Sequence, residues 1–206
     1  MIEILGRANS VNVQKVTWCA AELGLDVERK DIGSQFGGND TADYLEKNPN
    51  GRIPTLIDNG FVLWESNSIV RYLCQTYGRE SWQPTDPKVA ALANQWMDWY
   101  LTTLHAPMTT LFWGLIRTAP EDQDWTAINK AAEDSAQIWS ILDSHLADRE
   151  FVTGGELTMG DIPVGCAAYR WHCMDFQRPE LPNLERWWDR LNVRPAYREH
   201  VMFPLT

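Results

Sequence analysis

Long apolar runs, paired cysteines and clustered basic residues are all missing from this sequence, and each absence removes a class of function. No segment approaches the roughly 20 consecutive apolar residues a membrane helix needs. The N-terminal run Met1-Ile2-Glu3-Ile4-Leu5-Gly6-Arg7 carries a charge inside its only short apolar stretch, so it reads as neither a signal peptide nor a membrane span. Cys19, Cys74, Cys166 and Cys173 form no CxxC pair and no metal-ligand spacing, and all fall in stretches with helical periodicity. The expectation is a cytoplasmic protein with reduced thiols, Cys19 among them buried and inert. The net charge is −10, with acids exceeding bases by 10 to 7 over residues 1–78 and by 18 to 11 beyond. A nucleic-acid partner is excluded on that balance, because even the densest basic stretch, Arg186 to Arg198, is interleaved with Glu185, Asp189 and two Trp. His105, His145, His172 and His200 share no spacing with acids that suggests a metal site or a triad.

What is present has an order. Apolar runs at Ile2 to Leu5 and Val27 to Ile32 flank a helical period at Val13, Val16, Ala20 and Leu23. A hairpin and a further helix follow, giving strand, helix, strand, helix, hairpin, helix. A crossover long enough for a helix predicts that the first two strands are parallel. The pattern changes at residue 79: Arg79 to Pro87 is polar, contains two prolines and has no periodicity, and after it every segment is helical. The division expected is an α/β domain over 1–78, a linker over 79–86 and an all-α domain over 87–206. In the second part, Leu92, Trp96, Trp99 and Thr103 mark a long helix bent near Pro107. Another starts near Pro120-Glu121. Thr158 and Asp161 suit an exchange of capping bonds, a folding role worth about 1 kcal/mol.

The chemistry is concentrated in one block, Asn48-Pro49-Asn50-Gly51-Arg52-Ile53-Pro54-Thr55-Leu56-Ile57, followed after the Asp58-Asn59-Gly60 turn by Leu63-Trp64-Glu65-Ser66-Asn67-Ser68-Ile69. Pro54 opens a strand through an X-Pro bond that can be cis, which leaves the Ile53 main chain without strand partners. Glu65-Ser66 stands where a helix begins. A helix start offers free N–H groups and the positive end of the dipole to a carboxylate, Ser66 adds a hydroxyl, and Glu65 can meet an ammonium. One corner thus suits both ends of an amino-acid zwitterion.

This block resembles the glutathione-binding block of the glutathione S-transferase family, in which the Pro is cis and the Glu-Ser pair holds the γ-glutamyl end. Among subgroups the chain looks most like bacterial theta-like and nu-like members. The resemblance covers essentially the whole chain, and implies a thioredoxin-like N-terminal domain followed by an all-α C-terminal domain. It also implies a cytoplasmic homodimer that adds the glutathione thiolate to a small electrophile in detoxification, with Arg52, Ile53, Pro54, Glu65 and Ser66 binding glutathione and no metal or nucleotide. Two other readings are a glutathione-dependent disulfide reductase or peroxidase and a non-catalytic docking module of the same fold. An intact Glu65-Ser66 and Ser10 argue against the module, which has no need of them.

Such chemistry needs a thiolate, and a free thiol ionises only near pH 8.5. The loop Gly6-Arg7-Ala8-Asn9-Ser10-Val11-Asn12, before a helix expected near Val13, holds the donors: Ser10 and Asn12, beside helix N-terminal amides. By resemblance Ser10 takes the hydroxyl position of serine-type members, and Asn12 matches the Thr/Ser-x-Asn pattern of nu-like ones. Either can instead be a plain N-cap. The family's architecture further implies that Met108, Phe112 and Trp113 line the pocket for an apolar electrophile, with Arg7 and Arg117 tuning it for an anionic one.

Overall fold

A computed structural model describes the backbone of residues 1–206 and every side chain except that of Glu80. The chain divides into two compact units, one formed by Met1–Gln83 with Pro195–Phe203, the other by Pro84–Arg194 with Pro204–Thr206.

The first unit is built on a four-stranded sheet in the order β2-β1-β3-β4, with β1 Ile2–Leu5, β2 Val27–Lys30, β3 Thr55–Asp58 and β4 Phe61–Trp64. β1 runs parallel to β2, the crossover being α1 (Val11–Glu22), and antiparallel to β3. Central β1 and β3 carry the buried Ile4 and Leu56, whereas β2 alternates half-buried and exposed residues, VERK, the charged pattern of a protected edge. β2 is followed by a short helix, α2 (Ala42–Lys47), and β4 by α3 (Ser66–Tyr77). Buried Asp58, at the end of β3, accepts hydrogen bonds from Tyr72 and Tyr77 and so ties the hairpin to α3. α1 begins at Val11, two residues before the start expected from periodicity, because Ser10 already has the extended conformation of an N-cap residue. Nearly all of α1 is buried.

The sequence assigns 87–206 as a whole to the helical part, but Pro195–Phe203 lies with the first unit. Its short helix α9 (Pro195–His200) presents Tyr197 edge-on to Trp18 at 4.8 Å, and the Val201 carbonyl accepts from the buried Gln14 amide at 3.3 Å. Periodicity marks a buried face but not the element it packs on.

The second unit is helical. α4 (Pro87–Trp99) and α5 (His105–Phe112) are joined through a π-helical turn at Tyr100–Leu104. That turn answers the problem posed by Pro107, whose ring crowds the carbonyl four residues back and whose nitrogen has no proton: the backbone there widens. α6 (Trp125–His145) starts later than Pro120 because Asp124 accepts from the Thr126 and Ala127 amides and sets the first turn. It buries Ile128, Ala131, Ser135, Trp139 and Leu142. α7 (Asp161–Cys173) and α8 (Pro182–Asn192) complete the unit, with Trp139 and Trp171 at 6.0 Å in its core. Among the described residues no helix is long and apolar enough to cross a membrane, and no group of three or more His, Cys, Asp or Glu gathers as a metal would need.

Asp161 does more than cap. Fully buried, it accepts from the Val152 amide at 2.9 Å, the Trp187 indole at 3.0 Å, the Thr158 amide at 3.0 Å and the Thr158 hydroxyl at 3.4 Å. Burial pushes its pKa up to about 6 against the pull of these four donors. Removing the carboxylate orphans several buried donors at once, each costing about 1–3 kcal/mol. Asp161→Ala is therefore expected to lower the unfolding free energy by about 3 kcal/mol or more, beyond the value of a simple cap, in a urea titration. A loss near 1 kcal/mol would show that the network relaxes around the gap.

His172 provides a pH handle on the same unit. Its ring stacks on Trp188 at 3.9 Å and 8°, and burial, followed by the charge of Arg178, lowers its pKa to about 4. Since an unfolded His titrates near 6.5, the unfolded chain takes up a proton between pH about 6.5 and 4 that the folded chain refuses; this contribution is lost as pH falls through that window. Asp161, with a raised pKa, acts with the opposite sign. His172→Phe is expected to remove up to about 3 kcal/mol of acid sensitivity relative to the parent chain, read as the difference in denaturation midpoint between pH 7 and 4. Parallel pH dependences would refute the assignment.

Candidate active site

Three segments of the first unit converge on one corner. The first is the loop leaving β1. Gly6, at φ +155°, sits so close to its neighbours that a Cβ would lie 2.5 Å from Val13 Cγ2 and 3.2 Å from Ile53 Cβ. Only glycine lets the end of β1 pass between α1 and the Ile53 segment. The loop then reaches Ser10, which is buried, with 9% of its surface exposed, and whose side chain makes no capping bond to α1. The cap position and the cap function are thus separate here: Ser10 holds the position, and its hydroxyl is left for something else.

The second segment is Arg52-Ile53-Pro54, with a cis bond between Ile53 and Pro54. Two buried side chains fix it. The Tyr44 phenol donates to the Arg52 carbonyl at 2.6 Å, and the Asn48 amide donates to the same oxygen at 2.7 Å and to Thr55 Oγ1 at 3.2 Å. Asn48 Oδ1 in turn accepts from the Asn50 main chain and side chain, each at 3.1 Å. No hydrogen bond reaches the Ile53 N–H or carbonyl among the described residues, since the β3 ladder begins at Thr55. An extended peptide can pair with those groups. The Arg52 side chain is exposed, so its fixed contribution is the carbonyl.

The third segment is the start of α3. Glu65 is exposed and has φ +71°, a conformation that costs a non-glycine residue about 1–3 kcal/mol and collects at functional sites. Its carboxylate is not used to cap the helix. Next to it Ser66 is buried, with Oγ 3.4 Å from Asn12 Oδ1 on α1. The two oxygens share a neighbour that sequence reasoning missed: Lys15, fully buried, donates from Nζ to Asn12 Oδ1 at 2.9 Å and to Ser66 Oγ at 3.4 Å. A lysine in a helix reads as a surface residue, and no signal in the pattern separates this one. The N-termini of α1 and α3 therefore stand side by side, both without a side-chain cap, and the pair suits anionic groups on one ligand.

The remaining sequence candidates are dispersed. Arg7 donates to Asn9 Oδ1 at 3.0 Å in the first unit. In the second, Met108 and Phe112 are buried, and the Arg170 guanidinium covers the Phe112 ring at 3.9 Å. Trp113 is exposed, with Arg117 5.9 Å from its ring and 5.7 Å from that of Phe112. A separate open cavity of about 540 Å³ lies between α5 and α6, lined by residues such as Pro107, Thr110, Lys130 and Asp134, and includes none of these candidates.

Comparison with known proteins meets this geometry on both units. Residues 3–75 match the model of the glutathione S-transferase N-terminal domain, and residues 102–195 that of the glutathione S-transferase C-terminal domain. The chain is 39% identical over 208 residues to glutathione S-transferase GstB of Escherichia coli (strain K12), covering all of both chains. It is 35% identical over 185 residues to glutathione S-transferase D7 of Drosophila melanogaster, covering 88% of this chain and 80% of that one. Among solved structures it is similar to the theta class glutathione S-transferase of Xanthomonas axonopodis pv. citri with glutathione bound, at TM-score 0.96 and 45% identity over 100% of this chain and 99% of that one.

The clamp on Arg52 gives a test of the second segment. Asn48→Ala is expected to cost about 1–2 kcal/mol in a denaturant titration, since it leaves the Asn50 amide and the Arg52 carbonyl short of a partner. It should also weaken glutathione binding severalfold by calorimetry, because Ile53 is no longer held. Asn50→Ala, on the rim, serves as the comparison and should do neither; equal effects would remove Asn48 from this role.

Proposed function

The chain belongs to the glutathione S-transferase family, and on that premise we propose how its residues divide the work. Glutathione lies across the corner just described, with its α-amino-acid end at the start of α3. There the α-carboxylate meets the Ser66 hydroxyl and the first amides of the helix, and the ammonium meets Glu65. The cysteinyl main chain pairs with the Ile53 N–H and carbonyl. Its sulfur then faces the start of α1, where Ser10 and the Asn12 amide nitrogen donate to the thiolate.

The observation that carries this reading is the pair of uncapped helix N-termini. The first amides of α1 and α3 have no side-chain cap, since the residues in the cap positions, Ser10 and Glu65, spend no side-chain bond on them. Each unit by which the thiol pKa falls corresponds to about 1.4 kcal/mol of preference for the thiolate, a size that two donors and a helix end can supply. The reaction then needs no further covalent work by the protein: the sulfur lone pair attacks the electrophile, a carbon–sulfur bond forms, and the leaving group or the developing carbanion takes the charge. Positioning and thiolate stabilisation are the catalysis.

The electrophile meets Met108, Phe112 and Trp113, with Arg7 and Arg117 favouring an anionic one; the chain works as a cytoplasmic homodimer in detoxification, and it uses no metal.

Two sets of variants test the division. Ser10→Ala is expected to raise the pKa of enzyme-bound glutathione by about one unit toward the free value near 8.5, read from thiolate absorbance, and to move the pH profile of turnover with it. Stability should stay within about 0.5 kcal/mol, because no cap bond is lost. Ser66→Ala and Glu65→Ala should weaken glutathione binding about tenfold with the titration unmoved, the size expected for losing a hydrogen bond to a charged group. If Asn12→Ala shifts the titration and Ser10→Ala does not, the thiolate role passes to Asn12. Unchanged affinity in both α3 variants would take the amino-acid end away from this corner.

A further inference from the structure

Lys15 has no assigned part in this scheme, yet it touches two of its members. Its side chain is fully buried, and its ammonium bridges Asn12 Oδ1 on α1 and Ser66 Oγ on α3. An ammonium only donates. The atom of the Asn12 carboxamide that faces it must be the oxygen, so the nitrogen is turned away from Lys15. That nitrogen makes no hydrogen bond within the chain among the described residues, and Asn12 is half-exposed. The same reasoning applies to Ser66. An oxygen that accepts from an ammonium keeps its own proton for another partner, which within the chain is Asn12 Oδ1 at 3.4 Å. A ligand carboxylate is a stronger acceptor and can take that proton over.

We propose that Lys15 is a positioning residue that couples the two anion sites of the glutathione corner. Its charge fixes Asn12 with the amide donor toward the thiol and polarises the Ser66 hydroxyl toward the α-carboxylate. The inference rests on the placement of glutathione argued above. It assigns to one buried cation both the affinity for the amino-acid end and the orientation of a thiolate donor, two properties otherwise held by separate helices.

Lys15→Met is the decisive variant, since methionine is similar in length and uncharged, and removing a buried charge need not destabilise the fold. Calorimetry would compare glutathione with γ-aminobutyryl-cysteinyl-glycine, which lacks only the α-carboxylate. The expected result is a loss of about tenfold in affinity for glutathione, little loss for the analogue, and an upward shift in the bound-thiol titration of both ligands. Lys15→Arg, which keeps a buried cation, should recover most of the affinity. Equal losses for the two ligands with an unmoved titration would overturn the inference, as would no loss at all. Ser66→Ala separates this result from the reading beneath it. If that variant prefers glutathione over the analogue as strongly as the parent chain does, the placement of the ligand is wrong; if its preference falls while that of Lys15→Met does not, only the role of Lys15 falls. Should Lys15→Met not fold, Lys15→Gln carries the same comparison, and failure of both to fold would make Lys15 a folding residue and overturn the proposal.

Discussion

An ammonium shut away from water must be surrounded by oxygen, and that requirement organises the first unit. Lys15 is buried in the middle of α1, and the oxygens it bridges come from the first turn of its own helix and from the start of α3. Neither helix can slide or rotate without uncovering a charge, which costs far more than the shift of an apolar contact. Both helices bury apolar residues, Val13 and Val16 on α1 and Ile69, Val70 and Leu73 on α3, and the Cys19 and Cys74 thiols meet between them at 3.6 Å; the Lys15 bridge is the charged contact that joins the two starts. Hydrophobic packing brings α1 and α3 together, but it is non-directional. The bridge sets the register.

Helix starts are closed in different ways along the chain, and α7, behind Gly160, has no side-chain cap of its own. Thr41, Asp86 and Asp124 cap α2, α4 and α6 with their own side chains, and the start of α8 is held by Asp143, which accepts from the Asn183 and Leu184 amides at 2.8 and 2.9 Å. The starts of α1 and α3 lack such bonds although Ser and Glu occupy the cap positions. Leaving a helix uncapped forgoes about 1 kcal/mol, and on the proposed placement of glutathione the ligand offsets that loss at both starts.

Much of this was legible in the sequence, and the exceptions have a common cause. The element order of the first unit, the hairpin, and the Pro54 and Glu65-Ser66 corner all follow from local signals: turn dipeptides, a period that changes from two to 3.6, and an X-Pro bond at a strand start. Ser10 was legible as a residue at a helix start, but whether its hydroxyl caps the helix is a matter of a single torsion. Lys15 and Asn48 were not legible. A lysine with no acid within one helical turn, and an asparagine in a polar loop, look like surface, and only the folded chain reveals that one is sealed between two helices and the other bonds the Arg52 carbonyl. The role of Asp161 was legible in kind but not in degree, because Val152 and Trp187 join it from outside the local pattern.

The C-terminal segment follows the same logic. α1 is buried nearly all round, so it shows no clean polar face, and its internal polar side chains have to be satisfied one at a time: Thr17 by the Val13 and Gln14 carbonyls, Lys15 by Asn12 and Ser66, Gln14 by the Val201 carbonyl. The last of these partners, and the Tyr197 ring against Trp18, lie in a segment that the chain supplies only after the whole helical unit. Without Pro195–Phe203, the Trp18 ring and the Gln14 amide of α1 would lose these partners. The helix that carries Ser10 and Asn12 is thus completed by the end of the chain, and the stability of the site is a property of the full sequence even though every residue assigned to glutathione lies before position 67.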